Sequence, residues 1–268
     1  MSLDTAFMGQ VFKLTLQGVP VTLKIVLVAL IISLPIGFLF ALIRIYQVKV
    51  LSPLVRLYVS FVRGTPIIAQ ILIVYSAFPS FLAQFIGKTA FNIDPIIYAY
   101  IVFALNSVAT LTEVFRSALQ TVDKGQLEAG LLVGMTPAQT FLRVILPQAL
   151  ISALPNITNT TLYLIKNSSL AFIMSVKDIT AVAKTQAAFS YNFLEAYLVV
   201  WVYYLVIAYV AEFLFSTLTH YFSRYLVAEP NKNWFQRLFS FRQPNTAVTN
   251  TQAKRAQFIA KEVNHVNN

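Results

Sequence analysis

Cysteine is absent from this 268-residue chain, and histidine occurs only at His220 and His265. Disulfides, thiol nucleophiles and any His/Cys metal site are thereby excluded, while the compartment stays open. Acidic residues number 10 against 20 basic ones, and charged residues make up only 11% of the chain. A soluble domain carries about 25%. The formal net charge is +10. The basic residues are dispersed between apolar runs, which sets membrane topology and argues against a nucleic-acid partner. Also missing are a Ser/His/Asp grouping and a glycine-rich phosphate loop, so nothing marks an enzyme. Gly87-Lys88-Thr89 has the ending of a phosphate loop, but Leu82 stands where its first glycine belongs. The chain has no recognisable ATP site of its own, and no cofactor is implied.

What is present is apolar bulk: 57% hydrophobic residues and a mean hydropathy of +0.69. Such a composition predicts an all-α membrane protein with about five spans. Residues 1–17 are mixed and weakly amphipathic, an N-terminal extracytoplasmic segment without the basic start of a cleaved signal peptide. The first span is read at 18–43, with Gly37 for packing against a neighbouring helix. Arg44, Lys49, Arg56 and Arg63 follow with no acid among them, marking the cytoplasmic side. Residues 52–63 predict an amphipathic interfacial helix whose apolar face holds Leu54, Leu57, Tyr58 and Phe61.

The second span is read at 66–86, and its Gln70 either faces a path or satisfies a neighbouring helix. Asp94-Pro95 caps and opens the third span, which runs to about 119. Asn106, Thr110 and Glu113 share one face there. Glu113 either pairs with Arg116 or another helix, or meets a substrate ammonium in a cavity. The fourth span, 147–176, carries Asn156, Asn159, Thr160, Tyr163 and Asn167 on one side, which lipid will not accept. Pro155 can bend or break it. A short outer helix is expected within 177–192, then a fifth span at 193–221. The polar tail at 227–268 is read as cytoplasmic and partly disordered. Lysine and arginine counts place the N-terminus outside and the C-terminus inside, with residues 18–226 as the membrane domain.

Between the third and fourth spans lies a polar break, residues 123–147, reading DKGQLEAGLLVGMTPAQTFLRVILP. Asp123 with Gln126, and Thr136 with Gln139, have capping-box spacing, and Pro137 suits a first helical position. Gly134 can supply a left-handed turn. Two short helices bent around Gly134 are therefore expected outside the bilayer, ending where Leu146-Pro147 starts the next span.

Glu128-Ala129-Gly130, Gly134 and Ile145-Leu146-Pro147 resemble the EAA loop of ABC-importer permeases, with Gly130 where that family usually has alanine. Arg63-Gly64-Thr65-Pro66 with Gln70, Glu113-Val114-Phe115-Arg116, Lys124-Gly125-Gln126 and Lys166-Asn167-Ser168-Ser169-Leu170 extend the resemblance to the polar amino acid uptake subfamily, over roughly 11–225.

The resemblance implies a type I importer permease in a bacterial inner membrane, acting as a dimer of like or related subunits. It implies ABC ATPase subunits that use the ATP, docked on Glu128, Ala129, Gly130 and Gly134. It also implies an extracytoplasmic binding protein that delivers an amino acid. Glu113, Asn156, Asn159, Asn167, Ser168 and Ser169 are the expected substrate contacts. Members that take cationic amino acids often have Asp after the Lys166 position. Asn167 therefore favours a neutral or polar substrate such as glutamine or cystine, with a cationic amino acid as the alternative. A carrier or channel without an ATPase is the competing class, though no internal repeat of the carrier kind is visible.

Overall fold

The computed structural model describes residues 3–226. Among them all regular structure is helical, and five stretches are long and apolar enough to cross a membrane: Thr5–Ile45, Ile67–Asn92, Pro95–Thr121, Pro137–Met174 and Phe193–Ser223. The expected tail at 227–268 lies outside the described residues.

Helix α1 (Thr5–Thr15) begins where the Asp4 carboxylate accepts the Phe7 amide at 2.9 Å. A short tight turn joins it to α2 (Val19–Ile45). The segment read as mixed and weakly amphipathic is thus a docked helix. Phe12 stacks on Tyr203 at 4.8 Å between centroids, and the Tyr203 hydroxyl donates to the Phe12 carbonyl at 2.7 Å.

The centre of the molecule is α2 against α5 (Pro95–Thr121). Ile25, Val26, Ala29 and Leu30 meet Ala99, Val102 and Phe103, and Leu164 and Ile165 close the same core. In lipid, burial of this kind draws on dispersion and close approach rather than on escape from water. Small residues make the approach possible. A methyl at Gly37 would sit 2.9 Å from the Leu111 Cβ, the packing role expected for it.

Helix α3 (Leu51–Gly64) is amphipathic as expected, and a second apolar face, of valines, packs on the protein. Val55, Val59 and Val62 are buried beside Ala109, while Leu54, Leu57 and Phe61 point outward. The stiff, short valines permit close packing, and the longer apolar side chains remain on the surface. Tyr58 is half-buried and donates to the Leu105 carbonyl at 2.6 Å.

Helix α4 (Ile67–Ile86) follows a bend at Thr65-Pro66, both extended. A tight helical turn at Gly87–Asn92 leads to Asp94, whose carboxylate accepts the Ile96 amide at 3.0 Å and opens α5 with Pro95 at its first position.

Two short helices, α6 (Gly125–Leu132) and α7 (Pro137–Thr140), precede α8 (Leu146–Ser168). Here an expectation is corrected. Leu146-Pro147 does not start a separate helix. Residues 137–168 form one rod, joined by a widened π turn at Phe141–Ile145 in which Leu146 N–H reaches the Phe141 carbonyl. Pro147 lacks an N–H and its ring would crowd the carbonyl four residues back, and the wider turn relieves that conflict. Pro155 likewise leaves α8 unbroken.

Helix α9 (Ile179–Ser190) occupies the segment where a short outer helix is expected, and α10 (Phe193–Leu226) is the last element of the described residues. The buried Asp178 carboxylate caps α9, accepting the Ala181 amide at 2.8 Å and the Tyr204 hydroxyl at 3.2 Å.

Candidate functional site

Two places stand out: a polar cleft among the long helices, and the bent helix pair before α8.

The cleft has a volume of about 480 Å³. The α3–α4 bend contributes Arg63, Thr65, Pro66 and Ile67; α5 contributes Asn106 and Thr110; α8 contributes Asn156, Asn159, Thr160 and Tyr163. Helical spacing puts each group on one face, so the pattern of one polar residue per turn becomes a wall. The threonines do not offer their hydroxyl protons to the cleft. Thr110 donates to the Asn106 carbonyl at 3.3 Å and Thr160 to the Asn156 carbonyl at 2.8 Å. Among the described residues, the Asn156 and Asn159 amides have no protein partner, and Arg63 has no carboxylate within ion-pair distance.

Gln70 lies beside the cleft and satisfies a neighbour. Its amide donates to the Val62 carbonyl at 2.8 Å and to the Thr65 hydroxyl at 2.9 Å, and its oxygen accepts from Asn106 at 3.3 Å. It holds the α3–α4 bend in register with α5.

The six expected substrate contacts are not brought together. Asn156 and Asn159 line the cleft. Glu113 sits one turn beyond Thr110, where Arg44 of α2 binds one carboxylate oxygen and Arg116 binds the other at 2.7 Å. Arg116 also donates to Gln120 at 2.8 Å. Asn167, Ser168 and Ser169 lie two turns further along α8. Both serine hydroxyls turn back to their own helix, Ser168 to the Ile165 carbonyl at 2.6 Å and Ser169 to the Lys166 carbonyl at 2.8 Å. The half-buried Asn167 keeps a buried amide nitrogen without a partner. Sequence reasoning passed over Arg63 and Thr65 as site residues. The available signal was the Arg63-Gly64-Thr65-Pro66 sequence, read for topology and resemblance only.

The helix pair matches the expected bend with one correction. Asp123 and Gln126 form no capping box; the Asp123 carboxylate accepts the Gly125 amide at 2.6 Å, a local turn that delays the helix start. Gly134 has φ +87°, the left-handed turn, and Met135 N–H closes on the Gly130 carbonyl at 3.0 Å. The Thr136–Gln139 capping box is complete, with its two bonds at 2.9 and 3.2 Å.

Gly130 is buried against Thr140, and a Cβ there would lie 2.4 Å from the Thr140 methyl. The extra bulk of Thr140 thus fills the space an alanine at 130 would need. On the outside, Glu128 and Ala129 are exposed, with Leu132 at 87% and Val133 at 77% exposure. Leu132 and Val133 thus leave an exposed apolar edge at the bend of the pair.

Comparison with known proteins fits this geometry. Residues 33–226 match the model of the family described as binding-protein-dependent transport system inner membrane component. An L-cystine transport system permease protein of Bacillus subtilis is 35% identical over 212 residues, covering 79% of this chain and 88% of that protein. An arginine transport system permease protein of the same organism is 31% identical over 214 residues, covering 80% and 94%. A chain from the crystal structure of an amino acid ABC transporter with histidines superposes with a TM-score of 0.71 at 30% identity, covering 84% of this chain and all of that one. The resemblance first seen in the 123–147 segment is borne out by these matches: the chain belongs to the family of binding-protein-dependent transport system inner membrane components.

Proposed function

We propose that this chain is the permease subunit of an ATP-driven amino acid importer and forms, with a second permease subunit, the alternating-access path. The observation that carries the proposal is mechanical. Helix α7 is continuous, through the π turn, with the helix that carries Asn156 and Asn159, and α6 is folded back onto it with Gly130 packed against Thr140. A force applied at Glu128, Leu132 or Val133 passes through that contact into the rod that forms the cleft wall.

In this reading ABC ATPase subunits seat on the α6–α7 pair, with Glu128 as the charged contact. Closure of the ATPase pair rocks the rods as rigid bodies and turns the cleft from one side of the membrane to the other. ATP stays on the partner subunits. An extracytoplasmic binding protein delivers the ligand. The chain sits in a bacterial inner membrane with its N-terminus outside and its C-terminus inside, the orientation that the arginine distribution supports.

A polar or neutral amino acid, glutamine or cystine, is the preferred substrate. Support comes from Asn167, which carries no charge for a cationic side chain, and from the similarity to a cystine permease. The similarity to an arginine permease keeps the cationic alternative in play.

The test is Gly134→Leu. A leucine at φ +87° is strained by roughly 1–2 kcal/mol and would unbend the pair, while the spans remain as they are. The variant should insert normally and lose the ATPase on purification. Co-purification at the wild-type ratio would remove the docking role.

A further inference from the structure

The cleft has a single formal charge, and nothing in the described chain answers it. Arg63 lines it beside uncharged polar side chains only, among them Thr65, Asn106, Thr110, Asn156 and Asn159. No carboxylate lines the cleft. Glu113, one turn from Thr110, has both oxygens taken by Arg44 and Arg116. Arg63 is exposed at the end of α3, so its guanidinium is free to meet an anion that enters the cleft. Arg56, exposed two turns earlier on the same helix, lies outside the cleft and serves as the control. The first turn of α4 adds to the same sign. Pro66 and Ile67 line the cleft at the start of a 20-residue helix, whose partial positive end points where an anion would sit. The volume, about 480 Å³, is in the range of small-ligand sites.

We propose that Arg63 anchors the α-carboxylate of the transported amino acid. Asn156 and Asn159, unpartnered on the facing helix, take the ligand's remaining polar groups. This assignment rests on the amino acid importer reading above and adds to it a recognition residue. The planar fork of arginine matches a carboxylate through two parallel hydrogen bonds, which a neutral carboxamide cannot reproduce. The site thus recognises the part common to every α-amino acid and leaves side-chain choice to the amides and to the binding protein.

The experiment uses the purified permease–ATPase complex without binding protein, so that the binding protein's own selectivity does not intrude. Equilibrium dialysis measures binding of radiolabelled L-glutamine, L-cystine and L-arginine, each competed by its unlabelled α-carboxamide. In the wild-type complex the carboxamide of the bound amino acid should compete at least about tenfold more weakly than the acid, as for loss of a charged hydrogen-bonded pair. Arg63→Gln should weaken binding of the acid by about tenfold or more and abolish the preference for acid over amide. Arg63→Lys, which keeps the charge, should retain most of the preference and guards against misassembly of the glutamine variant. Arg56→Gln should match wild type.

Retention of both affinity and preference in Arg63→Gln would overturn the anchor while leaving the importer reading intact. If the wild-type complex binds none of the three amino acids up to millimolar concentration, the amino acid reading itself falls, and the anchor with it.

Discussion

Two arginine sites lie within a few turns of each other and are built in opposite ways. Arg44 and Arg116 share Glu113, and both of its carboxylate oxygens have a guanidinium partner, one from α2 and one from α5. Arg63 lines an open cleft in which Thr110 and Thr160 turn back to their own helix, Asn106 bonds Gln70, and Asn156 and Asn159 stay unpaired among the described residues. The first arrangement is closed, and what it does is hold α2 to α5. The second is open, and a partner has to come from outside the chain. Within a membrane, the question to ask of a polar residue is therefore less where it lies than whether the protein has already answered it.

The largest expected effect comes from breaking the closed cluster. Glu113→Ala leaves two guanidinium groups facing one another, and loss of one member from a largely buried ion pair costs about 3 kcal/mol or more. The variant should lose its monodisperse form in detergent or melt well below wild type. Glu113→Gln keeps the shape and should lie between the two. If Glu113→Ala were stable and defective only in uptake, the cluster would belong with the open site and the contrast drawn here would fail.

A second closed site sharpens the contrast, because it has no cation. Asp178, fully buried at the start of α9, is answered by the Ala181 amide and the Tyr204 hydroxyl. Burial pushes its carboxyl above the usual carboxylate range, and those hydrogen bonds oppose the rise only in part. A carboxyl raised in the folded state keeps its proton longer there than in the unfolded chain. Stability is therefore lost as pH rises from the usual carboxylate range through the folded value, and the penalty stays constant above it. Asp178→Asn keeps the cap through its Oδ1, replaces the bond from Tyr204 by one its Nδ2 donates to the Tyr204 oxygen, and removes that slope, so it should melt close to or above wild type at neutral pH. Asp178→Ala removes the cap and should cost about 1–2 kcal/mol. Thermal melts of the three proteins from acid to neutral pH give the comparison.

Much of this was legible in the sequence, for local reasons. Span number and order follow from runs of apolar residues. Gly134, Pro137 and the Thr136–Gln139 box announce the bent pair because capping and left-handed turns depend on neighbours in the chain. What stayed hidden was tertiary. Either flank of α3 is apolar enough to pack, and only contact with Ala109 decides for the valines. The π turn before Pro147 depends on the whole rod continuing through it. Helical spacing correctly puts Asn159 and Asn167 on one side of α8, but they are eight residues apart, about 12 Å along an axis. Shared phase is not shared depth, so one enters the cleft and the other does not. Arg63 was hidden because a basic residue before a span already has an explanation as a topology signal.

The smallest expected effect tests the difference between open and closed on one chemical group. Gln70 and Asn159 both carry a side-chain amide at the edge of the same cleft. The Gln70 amide is consumed by the Val62 carbonyl, the Thr65 hydroxyl and Asn106. The Asn159 amide has no protein partner among the described residues. Gln70→Ala should therefore destabilise the detergent-solubilised protein by about 1 kcal/mol, the upper part of what interhelical hydrogen bonds contribute in membranes. Asn159→Ala should change stability by no more than about 0.5 kcal/mol, as for a side chain with no contacts to lose, yet reduce uptake in reconstituted vesicles. Equal melting losses for the two would mean that Asn159 is held in the assembled protein by something this chain does not supply, such as the second permease subunit. A stable Asn159→Ala with undiminished uptake would mean that the cleft wall of α8 does not meet the ligand. Only a split result, with stability lost in one variant and transport in the other, is what an answered and an unanswered amide should give.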